Sequence, residues 1–230
     1  MLTTDAWTAQ QRRCDECREC RANPLFVTTG QSPAGPWWPE RQGRIVLISE
    51  APPESGGFWQ TGQYDDLREN LFCILQGLGR RVPSDFHAEA AIRVFMGHDL
   101  FLLQTVKWPL VKKKPQRSFN HLRRPNQDAL IAHTIEEHLG PELQLLAPGA
   151  VLAMGSAAWQ ACATLVPGQR RGSRISQVRG QSFQAVIDSR AVPLGVTSLP
   201  VGQNMRRAGE AALIKDEITK FMRSVAEGKK

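Results

Sequence analysis

The amino-acid sequence predicts a single three-layer α/β/α domain with a short, mainly parallel sheet of four strands. Four apolar runs are typical of strands buried on both faces, and they occupy Arg44–Ser49, Leu100–Gln104, Ala150–Met154 and Pro193–Ser198. Amphipathic segments separate these runs, and strands that alternate with helices pair in parallel through right-handed crossovers. A length of 230 residues suits one good hydrophobic core and is too short for two large domains.

The segments between the strands have the periodicity of helices. Leucine and isoleucine recur at three- and four-residue spacings in Tyr64–Leu78 and again in Asn126–Leu146. Ser156 is a candidate N-cap for a helix over Ala157–Val166, and Met205–Val225 is amphipathic. These segments predict the helical layers on the two faces of the sheet.

We expect residues 1–230 to form this one domain, with its α/β core in residues 44–228 and one hairpin near Ser182–Asp188. Residues 1–43 are predicted to hold an N-terminal helical turn and an irregular segment, because prolines and glycines are frequent after residue 22. No apolar run approaches the roughly 18–20 residues of a membrane span, and no secretory signal is evident. We therefore expect a cytoplasmic monomer that does not contact membranes.

The positive charge is concentrated in two segments. Lysine and arginine total 29 against 22 acidic residues, for a formal charge of +7. Residues 100–127 and 167–181 contain many of these cations and no acid, so the rest of the chain is net acidic. Such a distribution is typical of a surface that follows a phosphate backbone, and charge alone is equally compatible with solvated basic loops.

Polar residues follow the predicted strands, at the edge of a parallel sheet where ligands bind. Glu50 comes directly after the first strand and before a stiff Ala51-Pro52-Pro53 turn, which fixes the direction of its carboxylate. Such an acid is a candidate general base, and a capping or ion-paired carboxylate is the structural alternative. Gln104 ends the second strand in the same way.

Four segments together resemble one enzyme family. The sequence SEAPPESGGF at Ser49–Phe58 resembles motif A of the iron–sulfur-type uracil-DNA glycosylases, which is GEAPG, an acidic glycine-containing loop and a phenylalanine. QTVKW at Gln104–Trp108 is similar to their NVVKC strand tip, and LAPGAVLAMGS at Leu146–Ser156 to their LxPxVIVALGxxA strand and phosphate turn. Leu199 begins the segment that corresponds to their HPS motif. The matches keep chain order between about residues 14 and 207.

The resemblance implies a uracil-DNA glycosylase-like fold and a monofunctional DNA-repair enzyme that flips uracil out of DNA and hydrolyses its N-glycosidic bond. Glu50 would orient or activate the water, while Ala51, Phe58 and Gln104 would contact uracil. Phe58 would stack on the base, and the Gln104 amide would replace the family's asparagine in pairing with its edge. The residues expected to contact DNA are Lys107, Lys112, Lys113, Lys114, His121, Ser156, Arg206 and Arg207.

One departure from the family affects catalysis. Leu199 stands where the family has the histidine that donates to the developing charge on uracil, and leucine cannot donate. Asn204 is our candidate for this role, and Ser198, Gln203 or backbone amides are others. A catalytically silent DNA-binding relative remains an alternative, as does a covalently trapping one in which His121 attacks the sugar. A nucleotide-hydrolysing α/β protein is disfavoured because no phosphate-binding glycine motif follows a strand.

The second departure concerns metal ligands. Cys14, Cys17 and Cys20 form a C-x-x-C-x-x-C motif, and an odd total of five cysteines argues against a disulfide framework. The family's two later cluster cysteines correspond to Trp108 and Ile135, which bind no iron. We therefore expect no iron–sulfur cluster and no other cofactor.

A zinc site on the three cysteines is a weaker hypothesis, because no fourth ligand is evident in the sequence. His133 and His138 show no partner pattern, and we interpret both as structural or surface residues. Reduced thiols on a helical turn are the expected state of the motif.

Overall fold

The computed structural model describes residues 3–27, 37–38, 42–54, 57–111, 119–169 and 173–228, and it shows an α/β fold around a mixed five-stranded sheet. The strands are β1 (Ile45–Ser49), β2 (Leu100–Gln104), β3 (Ala150–Met154), β4 (Ser182–Ile187) and β5 (Arg190–Thr197). Their order is β2-β1-β3-β5-β4. β1 pairs in parallel with β2 and β3, β3 pairs in parallel with β5, and β4 is antiparallel to β5.

The α/β class is confirmed. The sequence predicts four strands, whereas the sheet has five, because the antiparallel edge strand β4 adds one. All five residues of β1, β2 and β3 are buried, which explains why their sequences are continuous apolar runs. In β4 only Ala185 and Ile187 are buried, so its apolar signal is weaker. β4 and β5 form the hairpin expected near these residues, and the turn residues Asp188 and Ser189 both have positive φ, as short hairpin turns require.

The helices come before, between and after the strands. They are α1 (Thr4–Glu16), α2 (Arg18–Ala22), α3 (Asp66–Gly77), α4 (Glu89–Gly97), α5 (Arg124–Thr134), α6 (Gly140–Leu146), α7 (Ser156–Ala163), α8 (Ile175–Val178), α9 (Gln203–Arg206) and α10 (Ala208–Glu227). A 3-10 turn covers Phe119–His121, and a π-helical turn covers Ile135–Leu139. No described helix is both long and apolar enough to cross a membrane.

Helices cover both faces of the sheet. The strand register aligns Leu102 with Gly195 through β1 and β3, so these residues share a face. A Cβ on Gly195 would meet the ring of Phe221, which places α10 over that face. Phe101 points the other way because side chains alternate along a strand, and its ring lies 5.5 Å from that of Trp7 in α1.

The N-terminal helices are longer than the predicted turn. Thr3 caps α1 by accepting a hydrogen bond from the Ala6 N–H, and the helix then continues for 13 residues. Trp7 and Cys20 are buried in the hydrophobic core, and Cys14 is also buried. Most other residues of α1 are polar, so the sequence shows too few apolar residues to reveal the full helix.

The segment predicted as one helix over Asn126–Leu146 changes its winding in the middle. A π-helical turn joins α5 to α6 and is closed by a hydrogen bond from the Gly140 N–H to the Ile135 carbonyl. A Cβ at Gly140 would clash with that carbonyl oxygen, so glycine permits the wider turn. π-helical turns inside α-helices are frequent at functional sites.

Candidate functional site

A cavity of about 430 Å³ opens beyond the carboxyl ends of β1 and β2. Glu50, Ala51, Phe58 and Gln104 line it, together with Leu199. We call this space the strand-tip cavity. The residue expected to activate water, Glu50, and the three expected to contact uracil therefore line the same cavity.

Glu50 is bound to the start of the next helix. Its Oε1 atom accepts hydrogen bonds from the backbone N–H groups of Ser156 (3.1 Å) and Ala157 (3.5 Å), the first residues of α7. Burial raises the pKa of this carboxyl, and the two N–H groups partly oppose that rise. Glu50 thus caps α7 while its carboxyl group faces the cavity.

The turn before α7 differs from the sequence expectation. Ser156 is the first helical residue and Gly155 is the N-cap, with a φ of 97° that favours glycine. A Cβ at Gly155 would lie 3.0 Å from Glu50 and 3.2 Å from Leu199, so the turn packs tightly against both. Ser156 was expected to hold a DNA phosphate at this helix end, whereas its N–H is committed to the Glu50 carboxylate.

Gln104 presents a buried amide to the cavity. Its side chain is only 5% exposed, and among the described residues no hydrogen-bond partner is found for the amide. The next residue, Thr105, fixes the strand end, because its N–H and its hydroxyl both donate to the Ser49 carbonyl. The amide atoms are not among the fully buried unpaired atoms of the described residues, so they reach the cavity, where a bound ligand can pair with them.

Phe58 forms an aromatic wall of the cavity. Its ring is buried and makes edge contacts with Trp59 and Phe95, at centroid distances of 5.1 and 4.7 Å. The buried Arg68 side chain donates to the carbonyl oxygens of Phe58 and Gln60, so it holds this loop in place. Arg68 was missed by sequence reasoning, because one arginine in an amphipathic helix carries no signal of burial.

The cavity has an acidic border. Glu54, Asp65 and Asp66 line it in addition to Glu50, and the described lining includes no lysine or arginine. Asp65 also caps α3 by accepting a hydrogen bond from the Arg68 N–H at 2.7 Å. These carboxylates would repel an anion, so the cavity suits an uncharged group better than a phosphate.

The other predicted site residues lie away from the cavity lining. The Asn204 amide donates to the Leu199 carbonyl at 2.9 Å, which leaves it committed to the backbone. Arg206 and Arg207 are exposed, and Arg207 is the N-cap residue of α10. His121 is exposed at the end of a 3-10 turn.

The basic segment after β2 differs in part from its predicted role. Lys107 was expected to contact DNA, but it is 5% exposed and forms a buried ion pair with Glu142 of α6. The expected contacts Lys112, Lys113 and Lys114 lie outside the described residues. Trp108 is buried.

A second polar group lies where α2 meets α5 and the π-helical turn. One ligand atom from each of Cys17, Cys20, His133 and His138 lies within 4.8 Å of the other three. We call these four residues the Cys–His group. Cys14 is not part of it, and its thiol lies 3.9 Å from Glu142. His133 and His138 therefore lie beside Cys17 and Cys20 as further candidate ligands, which are not evident in the sequence.

Comparison with protein-family models and with curated protein sequences gives no match to this chain.

Proposed function

We propose that the protein is a uracil-DNA glycosylase that hydrolyses the N-glycosidic bond of uracil in DNA. The observation that carries this proposal is the convergence of Glu50, Phe58 and Gln104 on the strand-tip cavity. A carboxylate, an aromatic wall and an amide with no partner among the described residues are the groups needed to activate water, stack a base and pair with its edge. They come from three separate segments of the chain.

The electrostatics of the cavity fit a neutral base. Uracil is uncharged, so the acidic border opposes the entry of phosphate without opposing the base. A volume of about 430 Å³ falls in the range of pockets that hold small ligands. In this proposal the sugar–phosphate backbone stays outside and only the flipped base enters.

Gln104 would supply recognition. Its amide offers both a donor and an acceptor, which matches the adjacent N–H and carbonyl of a uracil edge. A base that fills the cavity but lacks this edge would displace solvent from these atoms and leave them unpaired. The same amide would donate to a carbonyl oxygen of uracil as negative charge develops on the leaving base.

Glu50 would act on water through its second carboxylate oxygen. Oε1 accepts the Ser156 and Ala157 N–H groups, which fixes the carboxylate and leaves Oε2 to orient the nucleophile. The raised pKa makes this group a stronger base than an exposed glutamate once it is ionised. Leu199 beside it contributes no donor, so uracil stabilisation falls to Gln104 and to backbone groups.

A single assay tests the proposal against its two alternatives. Purified protein is incubated with a labelled oligonucleotide that contains one uracil, and the abasic product is revealed by alkaline cleavage. An oligonucleotide with thymine at the same position is the substrate control, and Glu89→Gln, at an exposed carboxylate on α4, is the protein control.

We expect excision from the uracil strand only, at the same rate in Glu89→Gln as in the parent. Binding without excision would instead support a silent DNA-binding protein in which Glu50 serves as a helix cap. A protein–DNA adduct stable to denaturing electrophoresis would support covalent trapping by His121. Either result would overturn the hydrolytic proposal.

A further inference from the structure

We propose that Cys17, Cys20, His133 and His138 form a structural zinc site that joins α2 to the end of α5. The site lies apart from the strand-tip cavity and is independent of uracil chemistry. It also differs from the cluster that the family resemblance implies, whose ligand positions correspond to Cys14, Cys17, Trp108 and Ile135. Two thiolates and two imidazoles are a common ligand set for tetrahedral zinc.

The distances fit a single ion. His133 Nε2 lies 3.3 Å from Cys17 Sγ and 3.5 Å from Cys20 Sγ, and His138 Nε2 lies 3.5 Å from Cys20 Sγ. Zinc bonds of about 2.3 Å to sulfur and 2.0–2.1 Å to nitrogen at tetrahedral angles separate the two atoms by about 3.5–3.6 Å. The described geometry is therefore close to that of the bound state.

The same distances argue against iron–sulfur clusters. In a four-iron cluster each ligand binds a different iron, and in a two-iron centre with mixed ligands the histidines and cysteines bind different irons. In both arrangements the cysteine sulfur and the histidine nitrogen would lie farther apart than two ligand atoms bound to the same metal ion. Here Cys20 is equally close to both imidazoles, so a single bound ion would contact both kinds of ligand.

The backbone brings the ligands together through two local features. Cys17 lies between the two helices, as the C-cap of α1 and the N-cap of α2. The Cys20 N–H points at the Cys17 sulfur at 3.4 Å. His133 and His138 are five residues apart, a spacing that would place them about 140° apart around an α-helix. The π-helical turn at Ile135–Leu139 corrects this separation, and the two rings lie 5.1 Å apart.

Glu19 orients one of the ligands. Its carboxylate lies 2.9 Å from His133 Nδ1, so it accepts the Nδ1–H and leaves Nε2 free to face the thiols. A carboxylate in this position is the usual outer partner of a zinc-bound histidine. Burial of Cys20 and His138 keeps the group away from bulk water, while Cys17 is half-buried beside the surface.

Binding would be balanced in charge and protons. Each of the two thiols releases one proton to solvent as it binds Zn²⁺, and the two neutral imidazoles bind without proton loss. The two thiolates then neutralise the ion. All four positions are filled by protein, which is typical of a structural rather than a catalytic zinc site.

The first test measures the untagged full-length protein, purified without chelator. We expect one zinc per chain by elemental analysis, and a tetrahedral cobalt spectrum with thiolate charge-transfer bands after exchange with Co²⁺. Protein that carries iron and sulfide would overturn the proposal. So would protein that binds neither zinc nor cobalt and keeps the same melting temperature with and without chelator.

The second test uses variants. Cys20→Ser and His138→Gln are expected to lose the metal, whereas Cys73→Ser, at an exposed thiol on α3, retains it. Because ligand variants can fail to fold, Glu19→Gln provides a milder change at an exposed side chain. We expect zinc affinity to fall about 10- to 100-fold in Glu19→Gln and to stay unchanged in Glu16→Gln, measured by competition with a chromophoric chelator. Equal zinc affinities in these two variants would show that Glu19 does not orient His133, and the proposed ligand geometry of His133 would be wrong.

Discussion

The strand-tip cavity and the Cys–His group are both polar, but their polar atoms face different ways. In the cavity, the Gln104 amide and the Glu50 carboxyl group point into open space that a ligand can fill. In the Cys–His group, sulfur and nitrogen atoms from four residues point at one another. The first arrangement suits exchange of a ligand, and the second suits permanent attachment of two parts of the chain. Changes in the cavity should therefore alter activity, and changes near the Cys–His group should alter stability.

The largest expected effect is that of Glu50→Gln on excision. Loss of the base should lower the single-turnover rate by about 10²- to 10⁴-fold while DNA binding is kept. Glu89→Gln is the matched control on α4. An unchanged rate in Glu50→Gln would remove this residue from the mechanism.

The same variant should gain stability at neutral pH. Burial raises the pKa of Glu50, so the folded chain loses stability as pH rises through that pKa, and glutamine has no such loss. The melting temperature of Glu50→Gln, relative to the parent, should therefore increase from acid to neutral pH. A lower melting temperature at neutral pH would mean that the carboxylate serves chiefly as the cap of α7.

Gln104→Ala should damage recognition more than folding. Removing the amide would leave one uracil edge unpaired in a buried site, which costs about 1–3 kcal/mol. We expect kcat/KM on uracil DNA to fall by the corresponding factor of about 5 to 150, with little change in melting temperature. Gln76→Ala, at an exposed position of α3, is the control. Parental activity in Gln104→Ala would exclude the pairing role.

Gly140→Ala tests the Cys–His group. The added methyl group would clash with the Ile135 carbonyl and distort the turn that places His138, at a cost of about 1–3 kcal/mol in stability. We expect lower zinc affinity and a lower melting temperature. Excision, measured well below the melting temperature of the variant, should be nearly unchanged. Gly77→Ala, in a helix with open space around the glycine, should lower neither the zinc affinity nor the melting temperature. A fall in excision without a loss of metal would contradict the separation of the two regions.

Arg206→Ala should give the smallest effect. Arg206 is exposed and follows the lining residues Leu199 and Val201 along the chain, and our hypothesis is that it enters the base stack or holds a flanking phosphate. An exposed charged contact is worth up to about 1 kcal/mol, so we expect at most a fivefold loss, confined to double-stranded substrate. Equal losses on single- and double-stranded DNA would make it a simple phosphate contact. Arg223→Ala, exposed near the other end of α10, is the control.

Much of the fold could be predicted from sequence because its signals are local. β2 and β3 have the predicted bounds, since a strand buried on both faces must be apolar at every residue. The meeting of Glu50 and Gln104 also followed, because parallel strands end at the same edge of the sheet. The position of Phe58 beside them was predicted from the family resemblance alone.

The rest depends on side-chain geometry that no local pattern encodes. That Glu50 would cap α7, and that Lys107 would turn inward to Glu142, depends on where rotamers point after folding. His133 and His138 were not recognised as partners because five-residue spacing is wrong for one face of an α-helix. Only Gly140, followed by proline, marks the winding change that brings them together.

The position of α1 and α2 has a consequence for synthesis on the ribosome. Cys17 and Cys20 lie 113 to 118 residues before the histidines that face them, and Trp7 precedes its partner Phe101 by almost as much. At about 5–20 residues per second, these helices wait on the order of ten seconds before their partners have been translated. During that interval an indole ring and three thiols lack their distant native partners, so we expect this part of the nascent chain to depend on chaperones and on a reducing environment.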